Sequence, residues 1–166
     1  MHFELKRIAP DSIPEALAKV ERYRLLNEPS LAESICLDIL EAAPENQEAV
    51  IALLLARTDQ FGAGVSHAKA LELLERIESE YARAYYSGIV WERVAHHHLR
   101  QGRPNSPSAA YHALRQAMEF YERAEGLRPA GNDDAILRWN TCARTIMRNP
   151  AVRPLPFEEP HPILSE

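Results

Sequence analysis

Residues 117–129 read AMEFYERAEGLRP, with alanine at the first and eighth positions, tyrosine at the fifth and proline at the last. Residues 32–44, AESICLDILEAAP, repeat this spacing with cysteine and isoleucine in place of the tyrosine and the second alanine. Positions three or four apart share one face of an α-helix, so each stretch predicts a helix with a small residue on its packing face. The closing proline cannot continue the helical hydrogen bonds and ends the helix. Two matched segments predict a repeated helical architecture.

The composition favours helices in a single domain. The chain has 166 residues, of which 6 are glycine, and no alternating runs of β-branched residues. This length is sufficient to bury one substantial core. The formal net charge of -5 argues against a nucleic-acid-binding surface, because such a surface needs clustered positive charge.

The sequence also predicts a soluble, cytoplasmic protein. The charged residues near the N-terminus are not followed by the apolar run of a signal peptide. The longest unbroken apolar run, residues 49–56, falls far short of the roughly 20 residues that cross a bilayer. Cys36 and Cys142 are distant in sequence, and a reducing compartment disfavours a disulfide between them.

Prolines, glycines and capping residues divide the chain into three parts: a lead-in segment at residues 1–10, a helical domain at residues 11–148 and a proline-rich tail at residues 149–166. The third helix of the domain is apolar nearly all round, which predicts a central position. Seven helices are predicted, at about residues 12–27, 29–43, 46–60, 65–79, 80–101, 108–127 and 134–148.

The tail is predicted to be extended, because its prolines cannot lie inside a helix. Its large apolar residues, among them Phe157, Ile163 and Leu164, are unusual for a disordered spacer. Docking on its own domain is favoured over docking on a neighbouring molecule, a role as a binding motif for another protein, or disorder. The prolines are Pro150, Pro154, Pro156, Pro160 and Pro162.

The spaced segments resemble the tetratricopeptide repeat over roughly residues 13–148. The second helix of that repeat carries Ala-x3-aromatic-x2-Ala-x4-Pro, as in residues 117–129, and its first helix ends in Gly-x2-Tyr, similar to Gly88 and Trp91 here. The resemblance implies an all-α fold, a right-handed α-solenoid of about three helix pairs with a C-terminal capping helix. Residues 131–140 are similar to small bacterial members of this family.

The three implied repeats differ in how well they match. The first spans about residues 13–46. The second, residues 47–82, lacks the closing proline and has extra residues near Gly62. In the third repeat the two helices are lengthened around the loop at residues 104–107. Trp139 in the seventh helix occupies the position at which a paired helix would carry glycine. A large side chain fits there if the seventh helix is a cap, because no later helix packs against it.

The resemblance also implies a concave groove lined by the first helix of each pair. Its positions carry an apolar floor with aromatic and charged residues, which suits a non-catalytic adaptor that binds a peptide or helix of a partner protein. The implied partner-binding residues are Leu17, Glu21, Arg24, Leu25, Ile51, Leu55, Asp59, Tyr85, Tyr86, Ile89, Glu92, Arg93, Ile136, Asn140 and Arg144.

Apolar and aromatic contacts would supply the binding, with Arg24, Arg93 and Arg144 setting the register against acidic groups. Replacing both Tyr85 and Tyr86 with alanine is therefore expected to abolish partner capture while helicity is retained. The slots that hold a C-terminal carboxylate in chaperone-binding relatives carry none of the required basic or amide side chains. A heat-shock chaperone tail is therefore not the expected ligand.

Two alternatives remain open. The chain could self-assemble, for instance as a homodimer through its apolar face or a swapped tail, which light scattering of the full chain and residues 1–149 would test. A metal-binding or enzymatic site could lie at His96-His97-His98, with His112 approaching from another helix. Consecutive helical residues point about 100° apart, so the expected arrangement is a buried His98 and two surface histidines. No catalytic residue, metal or cofactor is predicted.

Overall fold

The structure, a computed structural model, describes residues 2–155. Within them the fold is all-helical and contains no strand. Short 3-10 turns at Pro10–Ser12 and Phe61–Ala63 precede the first and fourth α-helices. The helices are α1 Ile13–Leu25, α2 Pro29–Ala42, α3 Gln47–Asp59, α4 His67–Leu74, α5 Glu80–Gln101, α6 Ser106–Leu127 and α7 Asp134–Arg148.

Helices that follow one another in the chain pack against one another, from α1 through to α7. In addition, α3 packs against both α1 and α5, which brings the alternate helices together. The most extensive contact joins α5 and α6, which have 22 residues each. The central position expected for α3 is confirmed, because it contacts α1, α2, α4 and α5.

Small residues lie at the closest helix contacts. Ala32 on α2, Ala70 on α4 and Ala117 on α6 are completely buried. Tyr121, four residues after Ala117, is the largest of the fully buried side chains. A small side chain lets two backbones approach, and a large ring beside it fills the space that remains. The spaced segments thus mark packing positions.

Gly88 shows this packing most clearly. A Cβ atom added at Gly88 would lie 2.6 Å from Cδ1 and 2.8 Å from Cζ of Tyr121. Such distances are well inside the sum of van der Waals radii, so only glycine fits unless the ring moves. The ring of α6 therefore lies directly on the backbone of α5.

Helix α4 is shorter than predicted. It ends at Leu74, and the predicted continuation to residue 79 is wrong. Residues 75–79 form a loop whose backbone groups bond to side chains instead: Gln47 accepts from the Glu78 N–H at 2.9 Å and donates to the Arg76 carbonyl at 3.2 Å. Arg83 Nε donates to the Ile77 carbonyl at 2.9 Å. These long-range bonds replace the helical ones and cannot be read from local sequence.

Both end segments contact the domain. Ile8 is half-buried against the core, and Arg7 lies 3.3 Å from Glu41 on α2. After α7, Val152 is only 2% exposed and belongs to the core. Truncation at residue 149 would therefore remove a core side chain, and residue 155 is a better end point for a shortened chain. Residues 156–166 of the predicted tail lie outside the described part.

Candidate functional site

Three helices, α1, α3 and α5, lie side by side and are joined by one acidic residue. Arg24 Nε on α1 donates to Asp59 Oδ2 on α3 at 2.9 Å, and Arg93 Nη2 on α5 lies 3.6 Å from Asp59 Oδ1. The Arg24 and Asp59 side chains are 23% and 18% exposed, so water screens this pair less than an ordinary surface ion pair. The bonds join the C-terminal turns of α1 and α3 to Arg93, which lies in the second half of α5.

A polar depression surrounds these ion pairs. Its volume is about 560 Å³, and its walls include three arginines and two acids. We call it the arginine end. Its charged residues are Glu21, Arg24, Asp59, Arg93 and Arg100.

A second depression, of about 500 Å³, adjoins the first. The two share Glu21 and Arg24, so they lie next to each other on α1, α3 and α5, and we call the two depressions together the groove. The floor of the second depression is mostly apolar, and we call it the apolar end. It includes Leu17, Ile51, Ala52, Leu55 and Tyr86.

The structure brings nine of the residues implied by the resemblance into this groove. They are Leu17, Glu21, Arg24, Leu25, Ile51, Leu55, Asp59, Tyr86 and Arg93. Three others, Ile136, Asn140 and Arg144, lie on α7 and line neither depression. Sequence reasoning missed Arg100, although it lies seven residues after Arg93 and so shares its helix face.

Two of the implied residues are inside the protein. Ile89 is 5% exposed and Glu92 is 4% exposed, so neither offers a surface to a partner. Both lie in the middle of α5, where α3, α6 and α7 cover the helix. The prediction that Ile89 and Glu92 lie on the surface of the groove is therefore wrong, because a long helix packed on several sides has few outward positions.

Glu92 instead joins three helices from within. Tyr121 Oη on α6 donates to Glu92 Oε2 at 2.6 Å, and Arg138 Nη1 on α7 lies 3.3 Å from Glu92 Oε1. Burial, followed by the charge of Glu92, raises the pKa of Tyr121, so the hydroxyl keeps its proton and donates. Burial alone would lower the pKa of Arg138, but the Glu92 carboxylate raises it. The bonds satisfy a carboxylate that would otherwise be costly to bury.

The two adjacent tyrosines differ in their surroundings. The Tyr85 ring stacks on Tyr81 with centroids 6.0 Å apart and also lies 6.0 Å from the Tyr121 ring, so it extends the core. Tyr86 meets Tyr85 edge-on at 5.2 Å and faces the apolar end of the groove. Of the pair, Tyr86 is the better probe of binding, because removing Tyr85 would also disturb the core.

The three consecutive histidines are all half-buried. The expectation that His98 alone would be buried is wrong. His97 instead meets His67, the first residue of α4, with ring centroids 5.7 Å apart, and His67 packs on Phe61 at 4.5 Å.

No group of three or more histidine, cysteine, aspartate or glutamate side chains in residues 2–155 is arranged to hold a metal ion. His112 is exposed and packs on its neighbour Tyr111 at 5.5 Å.

The histidine contacts give stability a pH dependence. Burial, and then repulsion from His97, lowers the pKa of both His67 and His98 below the ordinary value of 6.5. The unfolded chain therefore binds protons at a higher pH than the folded one. We expect full stability above about pH 6.5 and a falling free energy of unfolding as the pH drops through the folded-state pKa.

Urea unfolding of the wild type and His67→Phe across this range measures the effect. Phenylalanine keeps the ring against Phe61 but cannot bind a proton, so the variant should lose less stability on acidification. Equal losses in the two proteins would show that His67 does not contribute.

Both cysteines are buried thiols without a disulfide. Each is fully covered, and burial is the main reason that the pKa of Cys36 and that of Cys142 rise to about 12. A thiol with so high a pKa carries almost no thiolate at neutral pH and is a poor nucleophile. They act as small apolar residues in the helix contacts.

Comparison of the sequence and the structure with protein-family models, curated proteins and solved structures found no match. None of the helices in residues 2–155 is both long and apolar enough to cross a membrane.

Proposed function

We propose that this chain is a non-catalytic adaptor built as a tetratricopeptide-like, right-handed α-solenoid, which binds a segment of a partner protein in the groove across α1, α3 and α5. The observation that carries the proposal is that two adjoining depressions share Glu21 and Arg24, one with an apolar floor and the other with three arginines. An apolar floor supplies binding area, and charged groups at one end fix the direction of the bound segment.

The packing pattern supports the same proposal. Alanines at matched positions of α2, α4 and α6 are buried, and the glycine of α5 meets the tyrosine of α6. In a tetratricopeptide-like stack the first helix of each pair lines the concave face, and α1, α3 and α5 are the first helices here. Leu25 remains 82% exposed beside the arginine end, a large apolar side chain that a bound segment would cover.

Replacing Leu17 and Tyr86 together with alanine tests the proposal. Both side chains lie on the floor of the apolar end and both are partly exposed, so the change removes contact area from the groove as well as some contact with the core. We expect at least a tenfold loss of partner capture, equivalent to about 1.4 kcal/mol of binding free energy. Affinity capture from the native cell, with quantitative mass spectrometry of wild type against variant, measures it.

The matched control is Leu31→Ala with Leu37→Ala on α2. These leucines are each 47% exposed and line neither end of the groove. Circular dichroism must show equal helicity in the three proteins. If the α2 variant loses the captured proteins and the groove variant keeps them, binding occurs on another face and the proposal is wrong.

A further inference from the structure

We propose that residues 156–166 of the same chain, PFEEPHPILSE, occupy the groove in cis and compete with the partner. This inference rests on the groove of the proposed function and names its resident occupant. The segment carries an acidic pair, Glu158 and Glu159, and an apolar pair, Ile163 and Leu164. These are the two chemistries that the two ends of the groove would bind.

The chain leaves α7 on the same side of the domain as Arg100. Tyr81 near the start of α5 bonds to Asn132 just before α7, and Glu92 further along α5 bonds to Arg138 in α7. Residue numbers rise together along both helices, so α5 and α7 run in the same direction. The C-terminus of α7 therefore points towards the end of α5 that carries Arg100.

Val152 then fixes the starting point of the segment. It is buried in the core, so the chain is held against the domain four residues after α7 ends at Arg148. From Leu155, Glu158 is three residues away, or about 9 Å in an extended proline-rich chain, which is close to one interhelical distance. The acidic pair is thus the first part of the segment that can bind arginine side chains.

The spacing of the segment also agrees with that of the groove. From Glu159 to Ile163 an extended proline-rich chain covers about 12 Å. Along α1 from Arg24 to Leu17, and along α5 from Arg93 to Tyr86, seven helical residues cover about 10 Å. A segment that pairs its glutamates with the arginines therefore places Ile163 and Leu164 over the apolar end.

Charge favours this occupant. The arginine end has three arginines and two acids, whereas the chain as a whole has a net charge of -5. Arg24 and Arg93 share Asp59, and Arg100 has no ion pair within residues 2–155. Covalent connection adds an effective concentration in the millimolar range, so a weak contact suffices to fill the groove.

A spin label at residue 165 tests the inference in the full chain. Ser165→Cys provides the attachment site, and the buried Cys36 and Cys142 do not compete for the label. We expect paramagnetic broadening of amide resonances around Leu17 and Ile51, with loss of most of their intensity. The amides of α2, which packs behind α1 and α3, should lose less intensity than those of the groove.

Glu158→Lys with Glu159→Lys in the labelled chain should abolish the broadening and increase partner capture several-fold. Glu72→Lys with Glu75→Lys is the matched control, because these exposed acids of α4 and its end have no ion pair within residues 2–155. It changes the net charge equally and should leave the broadening intact.

Absent broadening, or broadening confined to other helices, would overturn the inference. A mixing experiment distinguishes a second copy: isotope-labelled chains without a spin label are mixed with spin-labelled chains. If broadening appears only in this mixture, the tail of a second copy occupies the groove and the inference is wrong. The broadening experiments need no partner protein. Their failure is therefore distinct from failure of the proposed function, which the Leu17 and Tyr86 variant tests.

Discussion

Replacing Tyr121 with alanine is expected to lower the free energy of unfolding by about 3–5 kcal/mol, the usual cost of removing a large buried ring. Tyr121 is completely buried, lies on the backbone of Gly88 and donates to Glu92. The loss is a large fraction of the roughly 5–15 kcal/mol that stabilises a typical domain. Urea unfolding followed by circular dichroism measures it.

Tyr121→Phe separates the hydroxyl from the ring. Phenylalanine keeps the packing but leaves Glu92 Oε2 without the donor that lies 2.6 Å away, so we expect a smaller loss of about 1–3 kcal/mol. Arg138 remains to neutralise the carboxylate. If the alanine variant were no less stable than the phenylalanine variant, the ring would not fill the contact between α5 and α6 as described.

The helices could be predicted from the sequence because their signals are local. Prolines and capping residues set most boundaries within a few residues, and the apolar pattern of α3 indicated its central place. The end of α4 could not be predicted. It depends on hydrogen bonds from Gln47 and Arg83, residues distant from the loop or on the next helix, which satisfy backbone groups that a helix would otherwise pair.

The groove was only partly predictable, for a related reason. Helical spacing places Leu17 with Arg24 and Tyr86 with Arg93 on common faces, and the structure brings these faces together through Asp59. Helical spacing in the sequence could not show that the Glu92 side chain is buried between α5, α6 and α7. A buried glutamate requires a donor from α6 and a cation from α7, and such partners are set by tertiary packing.

The contact of His67 with His97 was missed because it joins α4 to α5 across 30 positions of sequence.

The second large effect is expected at Gly88, where alanine should destabilise the protein by about 1–3 kcal/mol although alanine normally favours a helix. The added Cβ would meet the Tyr121 ring, which cannot turn away because it is fully buried and its hydroxyl is bound to Glu92. Gly126→Ala in α6 is the matched control, since nothing lies within 4 Å of a Cβ at that position. It should stabilise the protein by up to about 1 kcal/mol.

A double-mutant cycle then identifies the cause. In the Tyr121→Ala background the space above Gly88 is empty, so Gly88→Ala should become neutral or stabilising, with a coupling energy of about 1–3 kcal/mol. Urea unfolding of the four proteins of the cycle measures this coupling. If the two substitutions lower the free energy of unfolding additively, the cost of Gly88→Ala does not come from contact with Tyr121. Coupling of the expected sign would show that α5 and α6 approach closely because Gly88 has no side chain and Tyr121 has a large one. The proposed stack of helix pairs depends on packing of this kind.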